Sequence, residues 1–568
     1  MKNVFIAIGG SGAKVAEALV RLLAIGCPTR KQNGVYTSVG DSLQIWRIDP
    51  DRSAGAAVAL QTAIRHYEDL QKHLSNVGPV GTLAGSRWAL ELDTRIRNLD
   101  PLQLPQAADN DNEIKTLAGV LDSQYGGLKR STPLLTPFYA QKDLDVEVDR
   151  GFYQKPFIGA AIMAIFAASL RDETSPGGKE AGLTAFNNNR ANFFICGSLH
   201  GGTGACGVPV MGKFLSARKK ANPGWGWRVG GSLLAPYCVP PQPPFSALPE
   251  GEDVDDRLVD DLVKRHTDDP AFADLTPEKK RELVKQILLG FYADPDDMEA
   301  RARQGLGYYK DYSADYFDEL YLVGKPEPDK LKVWSNGGDS QRNPLNSAET
   351  VAALAALNFF TGANTGDQQS YVVGASTNDL NSQKMHLYNL PKYKLNSSDG
   401  ADEIDLEKVF LATSVLHHLL LHQIPWNVSA GSWPSSIEGL RQVYKDNATK
   451  QQSDRTHFTR ALDLLTEAMM AVLDPNQTVG WDSSGAAQVS NYLSGDANTV
   501  KEINEKIAKR MMSGEPKGIL TLGRSAAKLT ALEFGKWFPA GTQYSCGEYL
   551  RHVWSEIFAR TQDITQVT

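Results

Sequence analysis

Two glycine-rich segments have the residue types and spacing to hold phosphate through the backbone. Gly9-Gly10-Ser11-Gly12 follows the apolar run Val4-Phe5-Ile6-Ala7-Ile8. Gly201-Gly202-Thr203-Gly204-Ala205-Cys206-Gly207 follows Phe193-Phe194-Ile195-Cys196. Phosphate oxygens are held by backbone N–H groups; glycine permits close approach and positive φ, and a helix that follows turns its positive end to the anion. Charge-assisted hydrogen bonds contribute about 1.5–3 kcal/mol each, so four or five reach the roughly −8 kcal/mol of micromolar affinity. A glycine-rich strand-to-helix turn also arises from packing alone, but two in one chain shift the balance toward phosphate. The first is neither a P-loop nor a full G-x-G-x-x-G fingerprint, because Val15 stands where the third glycine belongs.

The flanking elements supply the required strand-loop-helix context. Gly9 to Gly12 reads as a tight loop, and Val15, Ala18, Leu19 and Leu22 mark a helix over Ala13 to Leu23. Val208 to Leu215 marks another after the second loop. Strands are expected at Gln44 to Ile48, ending at Asp49-Pro50-Asp51, at Val229 to Ala235, which runs into the Pro-rich loop Pro236 to Pro244, and at Glu319 to Val323. Together they predict an α/β fold opening on a parallel sheet. A Gly/Asn/Asp-rich loop, Trp334 to Asn346, precedes a helix over Ala348 to Phe360. Leu70 to Lys155 reads as helices and loops. Beyond residue 362, short strands at Tyr371 to Val373 and Met385 to Tyr388 give way to helices at Leu406 to His422, Thr456 to Leu473, Val500 to Met512 and Tyr549 to Ala559. A boundary is therefore expected between 1–362 and an α-rich 363–568.

Composition narrows the function classes. The chain of 568 residues carries 59 Lys plus Arg against 66 Asp plus Glu, a net charge of −7, with 42% hydrophobic and 22% charged residues. That excludes a mainly disordered chain and gives no basic tract for nucleic acid. Five widely spaced cysteines without a CxxC pair point to a reducing, cytoplasmic setting. Met1-Lys2-Asn3 enters a strand at once, unlike a signal peptide. The longest uncharged apolar stretch, Pro156 to Leu170, falls short of the roughly 18–20 residues of a membrane span and reads as a buried helix.

The ordered loops resemble those of the tubulin/FtsZ superfamily, whose second glycine loop reads GGGTGTG or GGGTGSG; here it is His200-Gly201-Gly202-Thr203-Gly204-Ala205-Cys206. Gly151 to Gly159, reading GFYQKPFIG, is similar to the FtsZ phosphate loop ending in Pro-Glu-Ile-Gly. Leu234-Ala235-Pro236-Tyr237 looks like the strand end that borders the ribose, and Asn346 and Glu349 sit where the family's central helix faces the guanine edge. The resemblance covers about residues 1 to 370 at motif level. It implies a Rossmann-like nucleotide-binding domain with a central helix and a divergent, helix-rich C-terminal domain. It further implies GTP or GDP with Mg2+, bound through Gly9, Gly10, Ser11, Gly12, Gly201, Gly202, Thr203, Gly204, Ala205, Pro236, Asn346 and Glu349. Subunits would assemble head to tail into filaments, with an acid from one completing hydrolysis on its neighbour. Asn364-Thr365-Gly366-Asp367 offers Asp367 for that step; Asn378-Asp379 lies further on. The sequence departs from the family in three respects: Ala13 or Lys14 stands for an asparagine, His200 and Cys206 stand for glycines, and about 70–150 and 240–310 are long insertions.

Rival readings use other features. A nucleotide-bound regulatory or scaffold module with little turnover, recruiting a protein partner through the helical half, fits the altered outer positions of the second loop; membrane remodelling or phage defence are accessory systems of that kind by analogy. A dinucleotide-dependent oxidoreductase would use the first loop with Asp49 as ribose ligand, but lacks the full fingerprint. His418 and His422, with His417 beside them, have the i, i+4 spacing of metal ligands among leucines that equally suit buried histidines. Cys206 at a helix start has either a lowered thiol pKa or a packing role. The acidic run Glu250 to Asp261 reads as a solvated face.

Overall fold

A computed structural model describes residues 2–24, 30–32, 35–37, 42–75, 94–102, 104, 115–125, 137–153, 155–187, 189–249, 254–269, 272, 275–292, 295–324, 328–331, 343–361, 393–397, 400–404, 460, 464, 467, 468 and 471. Asp367, the Asn378-Asp379 pair, His417, His418, His422 and the expected elements at 371–373, 385–388, 406–422, 500–512 and 549–559 lie outside the described residues.

The six strands of the main sheet are β1 (Lys2–Ile8), β2 (Ser42–Ile48), β3 (Arg95–Leu99), β4 (Ala191–Ser198), β5 (Arg228–Leu234) and β6 (Glu319–Val323). Their spatial order is β3-β2-β1-β4-β5-β6. The pairs β1/β2, β1/β4, β4/β5 and β5/β6 are parallel, with Ile8 opposite Ile48, Ala7 opposite Cys196, and Ser198 opposite Leu234. Val4 to Ile8 and all eight residues of β4 are buried. This explains why these strands read as unbroken apolar runs: a parallel strand covered on both faces has no solvent side to mark by alternation. Trp46, Phe186 and Trp227 pack around the Phe193 ring, and the Trp227 indole N–H donates to the Phe186 carbonyl over 3.1 Å.

The helices used below are α1 (Gly9–Ala24), α2 (Gly55–Ser75), α3 (Leu117–Tyr125), α4 (Pro156–Ser169), α5 (Gly202–Ala221), α6 (Asp256–Arg265), α7 (Pro277–Leu288), α8 (Pro295–Tyr316) and α9 (Ser347–Thr361). Two expectations need correction. The glycine segments are not loops preceding their helices: α1 starts at Gly9 and α5 at Gly202, so the glycines form the first helical turns. Glycine is a poor helix former, and Pro209 resembles a start signal, yet Pro209 lies inside α5. Pro156–Ser169 is the expected helix, and no described helix is long and apolar enough to cross a membrane.

Packing divides the chain into two compact units. The first comprises 1–17, 42–61 and 96–343; the second comprises 18–41, 62–95 and 344–568. Within the first, α6 and α7 have a small core of their own around Val259, Phe272, Val284 and Ile287. Asp255, Asp256 and Asp260 of the acidic run face solvent there. In the second, α9 is buried along its described length. Residues 460, 464, 467, 468 and 471 are helical, as expected for Thr456 to Leu473.

Candidate phosphate-binding site at the sheet edge

Strand order decides where a ligand fits. In the order 3-2-1-4-5-6 the connections leave in opposite directions from β1 and β4, and the crevice at the carboxyl ends of those two strands is the topological switch point at which open α/β sheets bind ligands. Both glycine segments stand there. Gly9 follows Ile8 of β1, and Gly201 lies three residues beyond Ser198 of β4. Asp49 follows Ile48, which pairs with Ile8, and Pro236 lies two residues beyond the Leu234 that pairs with Ser198. The fold therefore gathers Gly9, Gly10, Ser11, Gly12, Asp49, Gly201, Gly202, Thr203, Gly204, Ala205 and Pro236 along one edge.

Within this group the glycines do different work. Gly9 has φ +72°, and a Cβ on it would lie 3.2 Å from the Thr203 Cβ, so the first turns of α1 and α5 abut where only glycine fits without strain. Gly10 faces open space: a Cβ would meet nothing within 4 Å. Gly12 and Gly204 answer to packing, because a Cβ would stand 2.7 Å from the Cys196 oxygen and 2.6 Å from the Ser198 nitrogen respectively. Sequence alone does not separate the two kinds.

Two helix starts here, those of α4 and α5, lack side-chain caps. Gly201 caps α5 and Lys155 caps α4, neither with a side-chain hydrogen bond. Elsewhere, Asp255 accepts from the Arg257 N–H at α6, and Thr276 from the Lys279 N–H at α7. The first turns of α4 and α5 lie against each other, since a Cβ on Gly159 would meet Cys206 Sγ. Two positive helix ends thus converge with N–H groups unserved by side-chain caps, the arrangement that binds anions.

Three further side chains stand beside these turns. Lys155 Nζ lies 2.6 Å from Asp143 Oδ1 and 4.2 Å from the centre of the Phe291 ring, while Tyr153, at φ +47°, packs its own ring on Phe291. Desolvation pulls the Lys155 pKa down against the pull of Asp143. His200 is buried, with its ring edge-on to Tyr237 at 6.3 Å, and its Nδ1 finds no hydrogen-bond partner among the described residues. Burial holds it neutral, down to about 4, and the positive charge of Arg301 on α8 acts in the same direction on both His200 and Lys155. Asp49 is pushed up to about 7 by burial, against the opposing charge of Arg47; its Oδ1 accepts from the Asp51 N–H over 3.2 Å.

Cys206 is a packing residue. Its thiol is buried and donates to the Gly202 and Thr203 carbonyls, and burial raises its pKa well above the ordinary value, which corrects the lowered-pKa alternative. Asn346 and Glu349, in the second unit, form a capping box on α9. Asn346 Oδ1 accepts from the Ala348 N–H at 3.0 Å, and Glu349 Oε2 accepts from the Asn346 N–H at 2.7 Å. Sequence reasoning did not single out Lys155 or Arg301 as site residues and treated His200 only as a departure. Lys155 had a signal, a cation directly before the Pro that opens a helix; Arg301 had none.

Compared with protein-family models, curated proteins and solved structures, the chain matches none of them.

Proposed function

We propose that this edge binds the phosphate chain of a guanine nucleotide, and that the protein is a divergent prokaryotic tubulin/FtsZ-like GTPase of the cytoplasm. The observation that carries the reading is the meeting of Gly9 and Thr203 at the switch point between β1 and β4. The residues present suit a phosphate chain: open space before Gly10 and uncapped first turns of α4 and α5. Gly9, Gly10, Ser11, Gly202 and Thr203 would offer backbone N–H groups, whereas the Ala205 N–H donates to the Gly201 carbonyl over 3.1 Å; Pro236 would border the ribose. Mg2+ held chiefly by the phosphates would neutralise charge. GTP-bound subunits would join head to tail, with Asp367 of one polarising water at the nucleotide of the next. The test is GTP binding by calorimetry: wild-type protein binds in the micromolar range or tighter, and Gly202→Asp abolishes binding. A wild-type protein that binds no guanine nucleotide ends this reading.

A second reading is a nucleotide-holding regulatory module with little turnover, with the C-terminal half recruiting a protein partner. The buried His200 imidazole at a glycine position of the family pattern favours it. Steady-state hydrolysis lost in Asp367→Ala would rule it out.

A further inference from the structure

The second unit holds a ring nitrogen that stands between a donor and an acceptor. His66 on α2 has its Nδ1 3.2 Å from Arg21 Nη1 on α1 and 3.2 Å from Glu467 Oε2. Glu467 belongs with the helical residues 460, 464, 467, 468 and 471, which share one helix face, and Leu464 and Ala468 on that face are buried. A single nitrogen cannot serve both neighbours at once. Unprotonated, Nδ1 presents a lone pair, which accepts from the Arg21 guanidinium and repels the Glu467 carboxylate; protonated, it presents an N–H, which donates to Glu467 and meets Arg21 charge on charge. The other charges that act on the ring are Asp69 on α2 and Arg460, whose Nη1 lies 3.9 Å from Glu467 Oε1. Two cations and two carboxylates thus face the imidazole, and its own proton selects between the contacts.

We infer that His66 is a proton-operated joint: its unprotonated Nδ1 accepts from Arg21 and ties α2 to α1, whereas its protonated Nδ1 donates to Glu467 and ties α2 to the helix face that carries Glu467. The inference goes beyond the nucleotide reading and stands whether or not that reading does. Burial, and after it the charge of Arg21, hold the His66 pKa below its ordinary 6.5 against the pull of Glu467. The Arg21 contact is therefore fully present above pH 6.5 and is lost as pH falls through the lower folded value, where the Glu467 contact replaces it. The His66 and Glu467 side chains are 28% and 45% exposed, so solvent screens the exchange. Each contact corresponds to a coupling of about 2- to 5-fold in the unfolding equilibrium constant, as for ion pairs open to water.

The experiment titrates the His66 ring by NMR in the full chain labelled with nitrogen-15 histidine, the signal being assigned by its loss in His66→Leu. Urea denaturation then gives two double-mutant cycles, His66→Leu with Arg21→Met and His66→Leu with Glu467→Ala, each at pH 7.5 and at about one unit below the measured midpoint. The expected result at pH 7.5 is an unprotonated Nδ1, a coupling of about 2- to 5-fold to Arg21 and none to Glu467; below the midpoint the two couplings exchange. Arg21→Met should raise the midpoint and Glu467→Ala should lower it, since the two charges act on the ring in opposite directions. Couplings that are the same at both pH values overturn the inference. So does a ring that keeps its proton on Nδ1 at pH 7.5, or one that does not titrate while the chain is folded. Should Arg21→Met fail to fold, the wild-type Nδ1 state and the midpoint of Glu467→Ala decide alone, and an unmoved midpoint overturns the inference.

Discussion

Gly9 and Thr203 stand against each other at the carboxyl ends of two adjacent parallel strands, where a Cβ on Gly9 would come within 3.2 Å of the Thr203 Cβ. That approach brings segments nearly two hundred residues apart together at one edge, and Gly9 adopts φ +72° to allow it. Gly9→Ala should destabilise the protein by about 1–2 kcal/mol and weaken nucleotide binding, because both the backbone conformation and the space are denied to a side chain. Gly10→Ala, facing open space, should leave stability within about 0.5 kcal/mol. Urea denaturation of the two variants checks the contrast.

Lys155 and Asp143 form a mostly buried pair, with side chains 18% and 9% exposed. Removing one partner strands the other charge, so Lys155→Met should lower stability by about 3–5 kcal/mol. Lys155→Met combined with Asp143→Leu should recover most of that loss. A double-mutant cycle by denaturant titration reads the coupling.

Asn346 and Glu349 hold the start of α9 by reciprocal hydrogen bonds. Asn346→Ala should cost about 1–2 kcal/mol of stability through loss of the cap. Glu349→Gln keeps an acceptor for the Asn346 N–H and should cost less. Thermal melts of the two variants compare the losses.

Asp49 and His200 give opposite pH dependences. The Asp49 pKa is raised from 3.8 to about 7, so its contribution is fully present below pH 3.8 and is lost as pH rises through 7. His200 is lowered from 6.5 to about 4, so its contribution is present above pH 6.5 and is lost as pH falls through 4. Asp49→Asn should therefore stabilise ligand-free protein at pH 7.5 relative to wild type. His200→Asn should flatten the loss of stability on acidification between pH 6.5 and 4. Thermal melts across pH 4 to 8 without nucleotide report both.

Much of this architecture can be read along the chain, for definable reasons. Strands β1 and β4 are covered on both faces, so they appear as unbroken apolar runs, and the glycines mark where chain meets helix. The weak helical propensity of a glycine turn hides the true helix starts from the sequence, while at Gly12 and Gly204 packing against backbone outweighs that penalty. Asn346-x-x-Glu349 has the spacing of a capping box, a local signal legible in the sequence. Strand order, and with it the switch point, depends on long-range pairing and has no local signature. The same is true of the convergence of Lys155, His200 and Arg301. Each lies on a different element, and the charge of Arg301 meets the other two only through tertiary packing.

GTP turnover per molecule, measured as a function of protein concentration, tests the central claim most directly. An assembling GTPase with a site completed across subunits predicts turnover near background at low concentration and a rise above a threshold, with Asp367→Ala abolishing the rise. Turnover that stays at background at every concentration, or that is constant per molecule with no threshold, would contradict it.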